Sequence, residues 1–234
     1  MNLFSYHILE LSFFSALKAM MFPLKRNKAI GLIHAETMTI MKLGSSIFSF
    51  SRFFNTRIVV FAQWEDEAFI DRYLQSDGFG RQLAKGWHVR LEFLRQWGRI
   101  SGYEIPGQQI EFVDGPVVAV TLARMKYTEI PRFIMWGRPV EKLVRDHKGT
   151  TLSLASIRHP NTVSTFSIWK SQKEMTDMVH GHSKMPQPKR HIDAMRERDR
   201  RDFHFEFTTL RFRPIAEYGR LNMRSNLVPS QSQH

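Results

Sequence analysis

Cysteine is absent from all 234 residues. That excludes disulfides, thiolate metal sites, iron–sulfur clusters, cysteine nucleophiles and a thiolate-held heme, and leaves a histidine-held heme open. The phosphate-cradling patterns G-x-x-x-x-G-K-[ST] and G-x-G-x-x-G are missing, as is the nucleophile pattern G-x-S-x-G. Nothing therefore points to nucleotide chemistry or a serine hydrolase. No apolar run reaches the ~20 residues of a membrane-crossing helix. The nearest, Leu11 to Leu24, contains Lys18, meets Pro23, and follows Glu10 where a signal peptide would carry positive charge. The expected location is cytoplasmic, with a peripheral membrane contact left open.

Acidic residues are also scarce, 22 against 34 basic ones, for a net charge of +12. Such a balance attracts anionic partners, either lipid headgroups or nucleic acid. The densest basic run, Lys184 to Arg213, interleaves Asp193, Glu197, Asp199, Asp202 and Glu206, so it reads as a mixed solvated face. No RNA-recognition signature accompanies it, and nucleic acid is not an expected partner.

What the chain does contain is a repeat. The segment from Gly44 to Ile70 and the segment from Gly149 to Met175 align at a constant offset of 105 residues. Gly44 meets Gly149, Ser45 and Ser46 meet Thr150 and Thr151, Phe61 meets Phe166, and Trp64 meets Trp169. The elements around them follow one order twice. In the first half, Leu3–Leu11 predicts a strand, Ser12–Arg26 a helix, Thr37–Phe50 and Arg57–Trp64 a hairpin, Asp66–Gln75 a helix and Trp87–Ile100 a long strand. In the second, Pro116–Met125 predicts a strand and Ile130–His147 a helix kinked or split by Gly137 and Pro139. Thr150–Ile157 and Thr162–Trp169 make its hairpin. A helix starts at Ser171 with Glu174 in capping-box position, and Phe203–Arg213 is the last strand.

Two β-α-β-β-α-β halves define an α+β class with tandem ferredoxin-like units, residues 1–105 and 115–215, a linker at 106–114 and a frayed polar tail at 216–234. Each unit leaves one sheet face bare. The two bare faces are expected to cover each other as a barrel with helices outside, enclosing one small ligand. Phe61, Trp64, Phe166, Trp169 and Met195 are the expected lining of that substrate pocket, with Trp64 and Trp169 at its rim. Trp87, Trp97 and Trp136 read as core or rim.

Among polar groups, His180 and His182 lack a third ligand and read as a loop cluster. His191 begins a helix and shares a face with Ala194 and Met195; it is either an iron ligand at a cavity edge or a surface histidine. Arg211, between Leu210 and Phe212, faces a carboxylate partner or solvent.

The second half resembles the spheroidene monooxygenase family of carotenoid-modifying oxygenases. The resemblance is carried by GPVVAVTLARMK (Gly115–Lys126), by TVSTFSIWKSQKEM (Thr162–Met175), and by His191, Arg196, Phe203 and Leu210-Arg211-Phe212. The first half is similar more loosely, through Lys42-Leu43-Gly44 and the strand ending at Trp64. The resemblance implies a two-module α+β barrel and a heme-dependent oxygenase that uses dioxygen and an external electron-donor protein. It implies an apolar substrate such as a carotenoid or other isoprenoid. It makes His191 the axial ligand of the heme iron and Arg196 and Arg211 the holders of its propionates. Asp202-Phe203-His204-Phe205-Glu206-Phe207 replaces the family's W-F-x-E-E-L stretch, which leaves the substrate open. A cofactor-free monooxygenase or isomerase, and a non-catalytic ligand-binding module, are the alternative readings of the same fold. Oligomeric state, and whether the halves pair within or between chains, are not fixed by sequence.

Overall fold

A computed structural model describes residues 3–41, 55–103, 105, 109–111 and 115–230. The expected strand end at 42–50, the matches at Gly44, Ser45 and Ser46, and linker residues 106–108 and 112–114 lie outside the described residues. The first half runs β1 (Leu3–Glu10), α1 (Phe13–Met21), β2 (Leu32–Met41), β3 (Arg57–Trp64), α2 (Glu67–Ser76), α3 (Gly78–Lys85) and β4 (Trp87–Arg99). The second runs β5 (Val117–Met125), α4 (Ile130–Asp146), β6 (Thr150–Arg158), β7 (Thr162–Trp169), α5 (Gln172–Val179), α6 (Arg190–Arg200) and β8 (His204–Tyr218). The class is mixed α+β, and no described helix is long and apolar enough to cross a membrane.

Short polar side chains start the helices where they are needed. Asp66 accepts a hydrogen bond from the Ala68 amide at 2.9 Å, and Ser171 accepts one from the Glu174 amide at 3.2 Å. Asp77 does the same for Phe79 and Gly80, at 2.7 and 2.9 Å. It thereby opens α3, a helix that the apolar periodicity did not predict. Gly80 lets α3 fold tightly onto α2, since a Cβ there would lie 2.0 Å from the Tyr73 carbonyl oxygen. The expected split in α4 does not occur. The helix runs unbroken through Gly137 and Pro139, held by apolar contacts at both ends, so packing overrides local propensity.

All eight strands pair antiparallel in the order β1-β3-β2-β6-β7-β5-β8-β4 and close into a barrel within one chain. Each half keeps the ferredoxin-like order, β4-β1-β3-β2 and β8-β5-β7-β6. They join through the long β4–β8 ladder and the short β2–β6 ladder. Register makes positions comparable: Tyr6 faces Phe61 and Val89 in the first half, as Val120 faces Phe166 and Leu210 in the second.

The barrel interior is solid. Phe4, Tyr6, Phe61, Trp87, Phe166 and Phe212 are all fully buried in one cluster. Tyr6 and Phe166, from opposite halves, stack at 3.9 Å, while Phe4 lies 4.9 Å from Phe212 and 5.5 Å from Phe61. The expected ligand space between the sheets is therefore filled. Eight strands enclose a width that aromatic side chains can occupy completely, and alternation reveals which residues face inward but not whether they leave a gap.

Both barrel ends are closed. At one, Glu36 is buried beside Arg158 at 2.9 Å, with Arg124 at 3.8 Å and His34 at 3.5 Å. The Tyr103 hydroxyl donates to the Phe61 carbonyl there at 3.1 Å. At the other, the expected frayed tail is instead a plug. β8 continues to Tyr218, and Leu227 is 3 % exposed in the barrel core. Glu217 binds it in place, accepting from the Leu227 and Val228 amides at 3.0 and 2.8 Å and from Trp87 Nε1 at 2.7 Å. One carboxylate thus satisfies three donors.

Outside the barrel, the first half's helices seal its sheet. His7, His88 and Tyr218 stack there at 4.8 Å spacings. Burial, reinforced by Arg90, holds both imidazoles below their ordinary value.

Glu217→Ala is expected to lower stability by about 1–3 kcal/mol and expose the 219–230 segment to proteases, measured by urea unfolding and limited proteolysis. Because the folded-state pKa values of His7 and His88 lie below the unfolded value of about 6.5, their contribution is full above that pH. It is lost as pH falls through it toward the depressed values. Unfolding free energy should decline from pH 7 to pH 5, and a His7→Thr/His88→Thr chain should show a shallower decline.

Candidate functional site

Strand alternation assigns the outward residues of the second half's sheet. Across its strands, Thr209 on β8, Thr121 on β5 and Thr165 on β7 lie side by side, with Arg211, Ala119 and Ser167 as the adjacent row. The first half has larger groups at the matching register positions: His88 for Thr209, His7 for Thr121 and Val60 for Thr165. Val60 is 0 % exposed, whereas Thr165, in the middle of an interior strand, is exposed. The Thr121 and Thr209 hydroxyls are 3.3 Å apart. Truncated side chains thus open a hollow where the first half is filled.

The helices above bury few of their own side chains. Only Leu143 of α4 and Ala194 of α6 are fully buried. α4 anchors at one end with Leu143 and Val144 against Val117 and Trp169, and at the other with Ile130, Phe133 and Trp136 against Ala123, Val163 and Phe207. The threonine row lies between these two apolar clusters. An open cleft of about 1150 Å³ lined by Trp97, Tyr103, Arg198, Phe205 and Phe207 borders the hollow at Trp97 and Phe207.

Arg211 is the most informative side chain. It is 4 % exposed, its guanidinium lies 4.8 Å from the Trp97 ring, and Arg95 lies 4.8 Å from the same ring. Its counterpart in the first half, Arg90, sits 4.9 Å from the Tyr218 ring, and there Glu67 and Asp71 of α2 bind its two terminal nitrogens. At the 105-residue offset, α5 offers Gln172 and Thr176 instead. Among the described residues Arg211 has no hydrogen-bond or ion-pair partner, and its Nε is buried without an acceptor. Burial, then the neighbouring Arg95, lower its pKa, and Glu111 opposes them. A buried guanidinium with free donors can pair with an anion.

The other sequence-derived candidates divide by position. His191 is half-buried on the face of α6 that also carries Ala194, Met195 and Arg198, and Arg198 lies 5.0 Å from the Phe207 ring. α6 packs on α4 and α5 rather than on the sheet. Burial pushes the His191 pKa down, and the nearby Val179 carbonyl opposes it. Met195 is half-buried beside it. Arg196 points away: its side chain is 79 % exposed, 3.9 Å from Asp193, so it does not join Arg211. Phe61 and Phe166 belong to the solid barrel core rather than to a pocket. Trp64 and Trp169 face the helices, not the barrel rim, and donate to Ser5 and Ser167, each at 2.9 Å. The expected pocket lining therefore lies on two opposite sheet faces. The threonine row escaped sequence reading, although Val60 against Thr165 was present in the repeat alignment.

No family model and no curated sequence matches the chain. Among solved structures, an aldoxime dehydratase matches at 10 % identity over 91 % of this chain and 81 % of that one, with a TM-score of 0.57. A ferredoxin-fold protein of Listeria monocytogenes related to antibiotic biosynthesis monooxygenases matches at 14 % identity over 92 % and 97 %, with a TM-score of 0.31. A heme-degrading enzyme of the same organism matches at 15 % identity over 88 % and 98 %, with a TM-score of 0.28. At these identities the likeness is one of fold.

Exchanging the acids between the halves tests the reading of Arg211. Thr176→Asp is expected to raise stability by about 1–3 kcal/mol by pairing the buried charge. Glu67→Gln/Asp71→Thr is expected to cost about 3–5 kcal/mol, both read by denaturant unfolding.

Proposed function

We propose that the hollow beneath α4 and α6 binds an iron porphyrin and that the chain is an oxygenase acting on an apolar compound, the reaction class its sequence resembles. One observation carries this reading: the second half replaces His88, His7 and Val60 with Thr209, Thr121 and Thr165 at matched positions, opening the space that the first half fills. The residues around it suit the group. Protein histidines commonly hold metals with the other ring nitrogen committed to a carbonyl or carboxylate, and the Val179 carbonyl lies near the His191 ring. Arg211 offers unused donors to a propionate, while Phe133, Trp136 and Phe207 provide apolar wall.

When bound, the porphyrin supplies dioxygen activation, with electrons from an external donor protein. The chain's own part is to bind and orient. His191 would hold the iron, Arg211 would hold a propionate, and Met195 with the aromatic wall would exclude water from an apolar substrate. A carotenoid or other isoprenoid is the substrate class that the resemblance suggests. The matched registers and the 105-residue offset also support descent of the two halves from one duplicated unit.

Titration of purified protein with hemin is the direct test. An intense Soret absorption should grow to one equivalent, shift in His191→Ala, and fail in Thr165→Trp with an unchanged far-ultraviolet spectrum. The dimethyl ester of heme should bind roughly tenfold more weakly, since it cannot pair with Arg211. Absence of the band in the native chain, or equal uptake by Thr165→Trp, sinks the proposal in favour of cofactor-free chemistry or simple ligand binding.

A further inference from the structure

The helix α1 breaks the usual rule for a surface helix. Its inner face is small, with Ala16 and Ala19 buried against the first half's sheet. Its outer face is large and apolar: Phe14 is 80 % exposed and Met21 64 %, and Phe13, Leu17 and Phe22 are exposed with them. A helix apolar all round is ordinarily buried on every side. Contiguous exposed apolar surface of this kind marks a contact site.

Its surroundings select the partner. From Leu11 to Ala35 the chain has no Asp or Glu, while Lys18, Lys25, Arg26 and Lys28 fall in that stretch and are exposed. Lys28 is fixed at the helix end: its ammonium donates to the Phe22 carbonyl at 3.2 Å and sits 5.9 Å from the Phe22 ring. A second copy docked face to face would set this uncompensated positive cluster against itself, which costs association free energy. A surface that is apolar within and negative at its boundary satisfies both features.

We propose that α1 and the Lys25–Lys28 turn form a docking surface for an anionic lipid bilayer. Phe13, Phe14, Leu17 and Met21 enter the headgroup–acyl boundary, and the four cations meet lipid phosphates. Such helices lie in the interface plane with the apolar face inserted, and basic residues add attraction to anionic leaflets.

The full chain should co-sediment with phosphatidylcholine vesicles containing phosphatidylglycerol at least roughly tenfold better than with pure phosphatidylcholine. Binding should weaken as salt rises. Phe14→Asp and, separately, Lys25→Gln/Arg26→Gln/Lys28→Gln should each remove most of it. Both change exposed side chains, and unchanged thermal melting confirms that they fold. No binding to the anionic vesicles, or binding indifferent to Phe14→Asp, overturns the proposal. So does a native chain that sediments as a dimer without lipid and becomes a monomer in Phe14→Asp, which would make this face a self-interface.

Discussion

Closure of the barrel around aromatic rings is the constraint from which the rest of the structure follows. The β4–β8 and β2–β6 ladders bring two ferredoxin-like sheets edge to edge, and Phe4, Tyr6, Phe61, Phe166 and Phe212 fill what they enclose. Interiors at this density tolerate neither void nor guest. Once the inner faces are spent on each other, any binding space must lie outside, between a sheet and its helices. Each half has one such layer, and the two layers have been used differently.

Register pairs each position in one layer with a counterpart in the other. Arg90 and Arg211 occupy matching sites, and each lies against an aromatic ring from the other half's last strand, Tyr218 and Trp97. In one layer the charge is met by Glu67 and Asp71 and the space by histidines. In the other, acids become Gln172 and Thr176, and histidines become threonines. In the first layer both terminal nitrogens of Arg90 are paired, although its Nε and the Nδ1 atoms of His7 and His88 have no partner. The second keeps both an unmet charge and an unfilled volume, which is the usual trade between stability and function.

Much of this was legible in the residues. The 105-residue offset and the β-α-β-β-α-β order placed most strands, and Ser171 with Glu174 marked a helix start that the structure keeps. The central error came from expecting two sheet faces that cover each other to leave room for a ligand. Phe61 and Phe166 look alike whether they line a pocket or fill it, because only three-dimensional closure sets the distance between Tyr6 and Phe166. The tail misled for a related reason: a mostly polar stretch hides Leu221, Leu227 and Val228, which pack on the barrel core where Glu217, carried there by β8, binds the Leu227 and Val228 amides. Local sequence did show that Thr165 replaces Val60. Without the sheet register to add Thr121 and Thr209, one threonine among valines had no meaning.

The order in which the chain leaves the ribosome gives the β4–β8 ladder a temporal side. β4 ends at Arg99, and its neighbour β8 begins only at His204. At ~5–20 residues per second, that interval leaves the edge of β4 without its partner for roughly 5–20 seconds of translation. During that time an apolar sheet face and an open strand edge are exposed together, the combination most prone to pairing with a wrong chain. A newly made first half is thus a natural client for chaperones, and the arrival of the last strand is the moment at which the molecule ceases to need them.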